Sequence, residues 1–359
     1  MLQKIFATAV ASMSFLPLLA QETETTTEAS TEKKSTTTFS GMADVYYRWD
    51  FNKMAGNNKT SFTNSHNSFE LGMISGKLEH KWDKVGLVAD VGFGQRAEDF
   101  SYNDANTRFI IKQLNVSYSP KDWLKLTAGS WATHVGYELV DPNLNRNYSM
   151  SYLFSYGPFF HTGVKAEITT GKHGFMVGIA NPTDLKSAND ARKFFIGQYS
   201  FAASDAFKAY VNVLAGEDDP SIDSKTFQGD VVLTAGLSDK FSLGANASVN
   251  RNTYPVAGKK ESFTWWGAAG YINFDPTESL GFTLRVENFD DKDQRNVFAD
   301  APKGGSVLAT TLSTNIKIKS LILIPEIRFE NAGEEIYENK SGAGKKTNGH
   351  FLVAAVYQF

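Results

Sequence analysis

The chain has no cysteine among its 359 residues. That excludes a disulfide framework and a thiolate metal site, so an exported form must hold together by hydrogen bonding and packing alone. Net charge is nearly absent too. Lys and Arg number 36 against 39 Asp and Glu, leaving −3, which gives no electrostatic ground for a nucleic-acid partner. Beyond the first twenty residues no apolar run is long enough to cross a membrane as a helix, which takes about 20 residues. The six histidines are scattered and form no HxxxH pair, so neither a metal site nor a cofactor is expected. The stretch Gly342-Ala343-Gly344-Lys345-Lys346-Thr347 only partly matches a phosphate loop: Asn339 and Lys346 stand where that motif needs Gly and a hydroxyl residue.

Aromatic residues are plentiful instead. They make up 13% of the chain, with 27 Phe and 14 Tyr, although the mean hydropathy is only −0.30. The N-terminus reads as a signal peptide over residues 1–20: Lys4, an apolar run from Ile5 to Leu19, then Ala20. Residues 21–38 are Thr- and Glu-rich without apolar periodicity, which predicts a disordered leader.

From Phe39 the period becomes two. Phe39, Ala43, Val45, Tyr47 and Trp49 fall on one face, and Met42, Asp44, Tyr46, Arg48 and Asp50 on the other. The pattern recurs to Phe359 and gives about sixteen strands of the length a tilted membrane strand needs. Connection lengths alternate. Short ones fall near Asp83, Pro120, Gly171, Ser204, Asp239, Pro276 and Lys319. Long ones fall near 53–67, 95–107, 135–158, 182–191, 216–225, 251–261, 289–304 and 332–347. A soluble sandwich has no reason to sort loops by parity. An outer-membrane barrel does, with short periplasmic turns and long extracellular loops.

The expected fold is therefore all-β: a closed antiparallel transmembrane β-barrel over residues 39–359. Closure pairs every backbone group that lipid cannot satisfy. Aromatics near strand ends, such as Trp49, Trp82, Tyr118, Trp123 and Phe241, suit the two interfacial girdles. Pro325 lacks a ladder donor and predicts a bulge or an early strand end, leaving the strand count uncertain by two.

The third long loop, 135–158, does not alternate and is rich in Asn, Tyr and Ser. Long loops inside compact domains are usually functional. An inward fold would bring Tyr137, Glu138, Asp141, Asn143, Asn145, Arg146, Asn147 and Tyr148 to a pore constriction, where amides with an acid and a base exchange a solute's hydration shell for protein dipoles. The alternative is a loop that packs on the wall through Leu153, Phe154 and Tyr156 and lines nothing. The expected lumen wall carries mixed charge: Asp44, Arg48, Asp50, Asp90, Arg285, Glu287, Glu326, Arg328 and Glu330, with Lys165, Glu167 and Asp230. Arg285/Glu287 and Glu326/Arg328 read as paired wall charges. No basic ladder is visible, so selectivity should be weak, slightly for cations.

The run from Leu124 to Ile168, with GKLEHKWDKVGLVADVGFG upstream, resembles the OmpL-like β-barrel porin family of Gram-negative, Bacteroidetes-type outer membranes. The resemblance implies a barrel from about Phe39 to Phe359 that passes small hydrophilic solutes. It also implies the inward third loop seen in many porins. It implies no catalytic residue. Phe359 behind Phe351, Val353, Ala355 and Tyr357 looks like a terminal-strand signal for the barrel assembly machinery. Outer-membrane lipid and lipopolysaccharide are the expected surroundings, the cell outer membrane the expected location, and a homotrimer one assembly open to the chain. Two other readings stay open: a lipase-like membrane enzyme, with Ser130 and His134 as the nearest Ser/His pair, and a secreted glycan-binding β protein.

Overall fold

The computed structural model describes residues 35–104, 108, 110–189, 193–219 and 223–359. The expected signal peptide and most of the expected leader lie outside them. Sixteen strands close into one antiparallel barrel. The first eight are β1 (Ser35–Asp50), β2 (Ser68–Trp82), β3 (Val85–Phe93), β4 (Ile111–Lys121), β5 (Leu124–Ala132), β6 (Phe160–Thr170), β7 (His173–Ala180) and β8 (Phe194–Ala202). Then come β9 (Phe207–Asp219), β10 (Ser224–Gly236), β11 (Phe241–Val256), β12 (Lys259–Thr277), β13 (Leu280–Asp291), β14 (Gly305–Ile318) and β15 (Leu321–Ala332). A small hairpin, β16 (Tyr337–Glu338) and β17 (Gly344–Lys345), precedes the last wall strand, β18 (Thr347–Gln358).

Each strand pairs with its sequence neighbour, and β18 closes the ring on β1 from Met42↔Gln358 to Asp50↔His350. Phe359 extends that seam, donating its N–H to Gly41 O and accepting from Gly41 N at 3.0 and 2.9 Å. A Cβ on Gly41 would lie 2.5 Å from the Phe359 ring, so glycine there makes room for the terminal aromatic.

The period of two sorts the side chains as expected. Val45, Leu71, Phe195 and Val177 are exposed on the outer surface, whereas Met42, Asp44, Tyr46 and Arg48 are buried inside. Trp82, Tyr118, Trp123 and Phe241 ring the short-turn end. The secreted sandwich required those apolar residues between two sheets, so this geometry rules it out.

Four details differ from expectation. Strand β1 begins at Ser35, because Ser35 to Thr38 pair with Trp82 to Glu79, so the barrel takes in the end of the predicted leader. The expected loop at 251–261 is a strand extension: β11 and β12 pair to Val256↔Lys259 around the turn Ala257-Gly258. Likewise β9 runs to Asp219 and β10 starts at Ser224. Pro325 causes neither a bulge nor an early end. Its strand keeps register with β18 through Pro325↔Val353, and only the ladder to β14 breaks, between Ser313↔Glu326 and Ile316↔Leu323. A single missing donor interrupts pairing without shifting it.

Candidate functional site

Residues 133–159 connect β5 to β6 and lie inside the barrel. Local bonds set their path. Thr133 Oγ1 accepts from Val135 N at 3.1 Å as the chain leaves β5. Asn145 folds the next stretch on itself, accepting from Leu139 N at 2.9 Å and donating to Leu139 O. A one-turn helix, α1 (Tyr152–Tyr156), starts from Ser151, whose hydroxyl accepts from Phe154 N at 3.1 Å. That is the ordinary way to satisfy an orphan helix donor.

The loop crosses the interior. Asp141 meets Lys112 on β4 at 2.5 Å, and Arg146 forks onto Asp275 on β12 at 2.6 and 3.1 Å. Those two strands are eight steps apart in either direction around the ring. Between and beyond them, Asn143 reaches Gln358 at 3.3 Å and Asn147 reaches Ser313 at 2.6 Å. Tyr137 stacks on Tyr271 at 4.1 Å.

Behind the loop lies a charge network. Glu138 pairs with Arg285 at 2.6 Å; Arg285 contacts Glu287 at 3.3 Å; Arg328 contacts Glu287 at 3.1 Å and Glu330 at 2.9 Å. All five side chains are buried. Loop backbone completes them: Tyr152 N donates to Glu287 at 2.7 Å, and Arg285 donates to Ser149 O at 2.8 Å. Glu326 does not pair with Arg328 as expected. It accepts from Tyr148 N and Ser149 N at 2.9 and 3.2 Å and from Ser313 Oγ at 2.7 Å. Tyr148 OH donates to Asp44 at 2.5 Å under the Arg96 guanidinium. Arg48 holds Asp50 at 3.1 Å, and Asp90 holds Lys112 at 3.2 Å. Pairing and these hydrogen bonds offset the cost of burying the ions, while Arg285 Nε, Glu287 Oε1 and Arg328 Nη2 make ion-pair contact only.

The inward wall is also less polar than expected. Ile322, Ile324, Leu352, Ala354 and Val356 on β15 and β18 point inward and are buried with Tyr46 and Tyr148. The loop covers this apolar sector, which otherwise would face water. Glycines mark the places where it sits. A Cβ on Gly244 would lie 2.6 Å from the Tyr137 ring, one on Gly267 2.7 Å from Leu153, and one on Gly281 2.7 Å from Arg146 Nη2. The wall of β11 to β13 has been emptied where loop side chains rest. Inward glycine on successive strands was the sequence signal for this seat, and pattern reading treated it as ordinary strand composition.

The loop's far end is clasped from outside. Asp184 Oδ1, in the β7–β8 connection, accepts from Phe159 N and Phe160 N at 2.7 and 3.0 Å, and Tyr102 OH donates to its other oxygen at 3.3 Å. Burial pushes the Asp184 carboxyl up to about 7. Ser155 Oγ accepts from Ser61 N at 2.9 Å, tying α1 to the β1–β2 connection.

A family model described as "Putative beta-barrel porin-2, OmpL-like" matches residues 36–359. The chain belongs to that porin family. Solved structures agree on the fold. The anion-selective porin from Comamonas acidovorans superposes with a TM-score of 0.63 at 10% identity, covering 91% of this chain and 100% of that one. OmpT of Vibrio cholerae, in its trimer form, gives 0.59 at 10% identity over 90% and 99%. OprD from Pseudomonas aeruginosa gives 0.51 at 11% identity over 90% and 94%. No curated protein sequence matches.

The porin is an outer-membrane barrel, so its long loops face outward and its short turns face the periplasm. Of the eight loop residues singled out from sequence, Glu138, Asn147 and Tyr148 are buried against the wall. The side chains of Asp141, Arg146 and Asp275, the partner of Arg146, keep 18, 25 and 28% exposure. The nine wall residues all face inward but are covered, at 6% exposure or less. Sequence reasoning missed Lys112, Asp275 and Asp184. Ser130 Oγ and both His134 ring nitrogens make no hydrogen bond, to each other or elsewhere among the described residues.

The outer mouth of the porin holds a cavity of about 540 Å³ between the loops and the β9–β12 wall. Thr226, Gln228, Asn250, Asn252 and Trp265 supply its wall side, and Asn64, Tyr102, Tyr156 and Phe159 its loop side.

Proposed function

We propose that this porin passes small hydrophilic solutes and ions by passive diffusion, through a lumen narrowed by the 133–159 loop. The observation that carries the reading is the diametric crossing from Lys112–Asp141 to Arg146–Asp275. A segment anchored on opposite walls leaves solute only the space beside it. Several of the charges still wet on the inner wall are paired: Arg146 with Asp275, Lys165 with Glu167, Lys77 with Glu79. Paired charges of both signs favour weak ion selectivity. No energy coupling, cofactor or covalent step enters this reading, and the chain acts as a channel, not an enzyme. Export by residues 1–20, insertion through the assembly machinery reading Phe359, contact with lipopolysaccharide and association as a homotrimer complete it. The trimer is supported by the trimer form of a similar barrel.

Planar-bilayer recording tests it. Wild type should show discrete steps with a cation-to-anion permeability ratio near one. Arg146→Ala leaves Asp275 unpaired in the path and should move the reversal potential toward cation preference. An unchanged reversal potential in that variant places the ion path elsewhere.

A further inference from the structure

We propose that the cavity at the outer mouth is a recognition site for a neutral, polyhydroxylated solute of about disaccharide size. The inference rests on the channel reading above and names its solute class.

The volume, about 540 Å³, falls within the range of small-molecule sites, roughly 300–1,000 Å³. Its polar lining combines five carboxamides, Asn64, Gln228, Asn250, Asn252 and Asn296, with Ser and Thr hydroxyls. Each carboxamide offers both donors and an acceptor, the set that a vicinal diol needs. Aromatic rings stand among them, Trp265 on the wall and Tyr102 and Tyr156 on the loops. A sugar ring presents C–H groups on one face and hydroxyls at its edge, and this lining offers both partners.

The charges exclude the alternatives. No lysine, arginine or histidine lines the cavity among the described residues, so nothing there attracts an anion. Asp184 is fully engaged and Asp99 is engaged through one oxygen. Asp184 accepts from two backbone amides and the Tyr102 hydroxyl, and Asp99 Oδ1 accepts from Gln95 at 2.7 Å. A cation therefore finds no free carboxylate pair. Three buried polar atoms in the lining residues have no hydrogen-bond partner among the described residues: Asn252 Oδ1, Asn296 Nδ2 and Asp99 Oδ2. Buried polar atoms are nearly always hydrogen-bonded, so a side chain shift that opens them to a hydroxylated guest gains bonds the free protein lacks. Position matters as well. The cavity lies where a solute leaves the medium and meets Gly157 and Pro158 at the end of the narrowing loop.

Two measurements on the full-length refolded barrel separate this inference from the channel reading. Titration calorimetry with sucrose and maltose, with gluconate and choline as charged controls, reads binding without conduction. Bilayer recording with sugar added to the extracellular side reads block of the KCl current. A disaccharide should bind and block in the millimolar range, and gluconate and choline should do neither. The paired variant Asn252→Ala with Tyr102→Ala should raise the half-blocking concentration about tenfold, with folding confirmed by heat-modifiable gel mobility. A barrel that conducts KCl but neither binds nor is blocked by either disaccharide overturns the site and leaves the channel. Choline binding in place of sugar overturns the solute class. Disaccharide binding without any conductance overturns the channel and keeps the site.

Discussion

Arg285 is the cation on which the buried network turns. It faces Glu138 from the loop and Glu287 from its own strand, and it is fully buried. Arg285→Ala leaves both acids without that partner, and breaking such a pair costs about 3–5 kcal/mol. Equilibrium urea unfolding of the refolded barrel should show that loss; a change under about 1 kcal/mol would mean that the pair behaves like a solvent-exposed one. Asp184 acts in the opposite sense. Its carboxyl is held at about 7 against an ordinary 3.8, so the folded clasp binds more protons than the open one between those values. Its stability is therefore full below about pH 4 and falls as pH rises toward about 7. Hydrogen exchange at Phe159 and Phe160, corrected for intrinsic rate, should show more opening at pH 8 than at pH 5. In Asp184→Asn, which keeps the accepting oxygen, the difference should vanish. The Arg285–Glu287 pair was legible because two strand residues at i and i+2 share a face. Glu138 was legible only as a loop acid, since nothing local says which wall a loop will touch.

Among the elements, the strands and the inward course of the third loop were readable, and the place where that loop rests on the wall was not. A strand advertises its partners by period and register. The loop's fit is written in the wall, at Gly244, Gly267 and Gly281 and in the inward apolar sector of β15 and β18. Those positions look like weak strand residues until the loop is placed. The same blindness made 251–261 a loop on paper, because Asn252, Tyr254 and Pro255 suggest a turn while β11 keeps pairing to Val256. Gly244→Val tests the seat. Overpacking there should cost about 1–3 kcal/mol, enough to raise protease cutting within residues 137–156 roughly tenfold. The barrel itself should keep its heat-modifiable mobility. Equal protection in wild type and variant would show that Tyr137 does not rest on that wall.

At the scale of the molecule, hydrocarbon and water explain most of what is seen. Lipid requires a closed ladder, and Phe359 on Gly41 completes the seam. Alternation then sends Val, Leu and Phe outward. What sits inside is neither an open polar tube nor an oily core. It is a loop bonded to walls on opposite sides, with buried charges behind it and ion pairs on the inner wall. Deleting residues 137–156 tests this directly, by single-channel conductance of wild type and deletion in the same planar bilayer. Wild type should show small steps and the deletion several-fold larger ones. Equal conductance in the two would contradict this, because the loop would then not stand in the way.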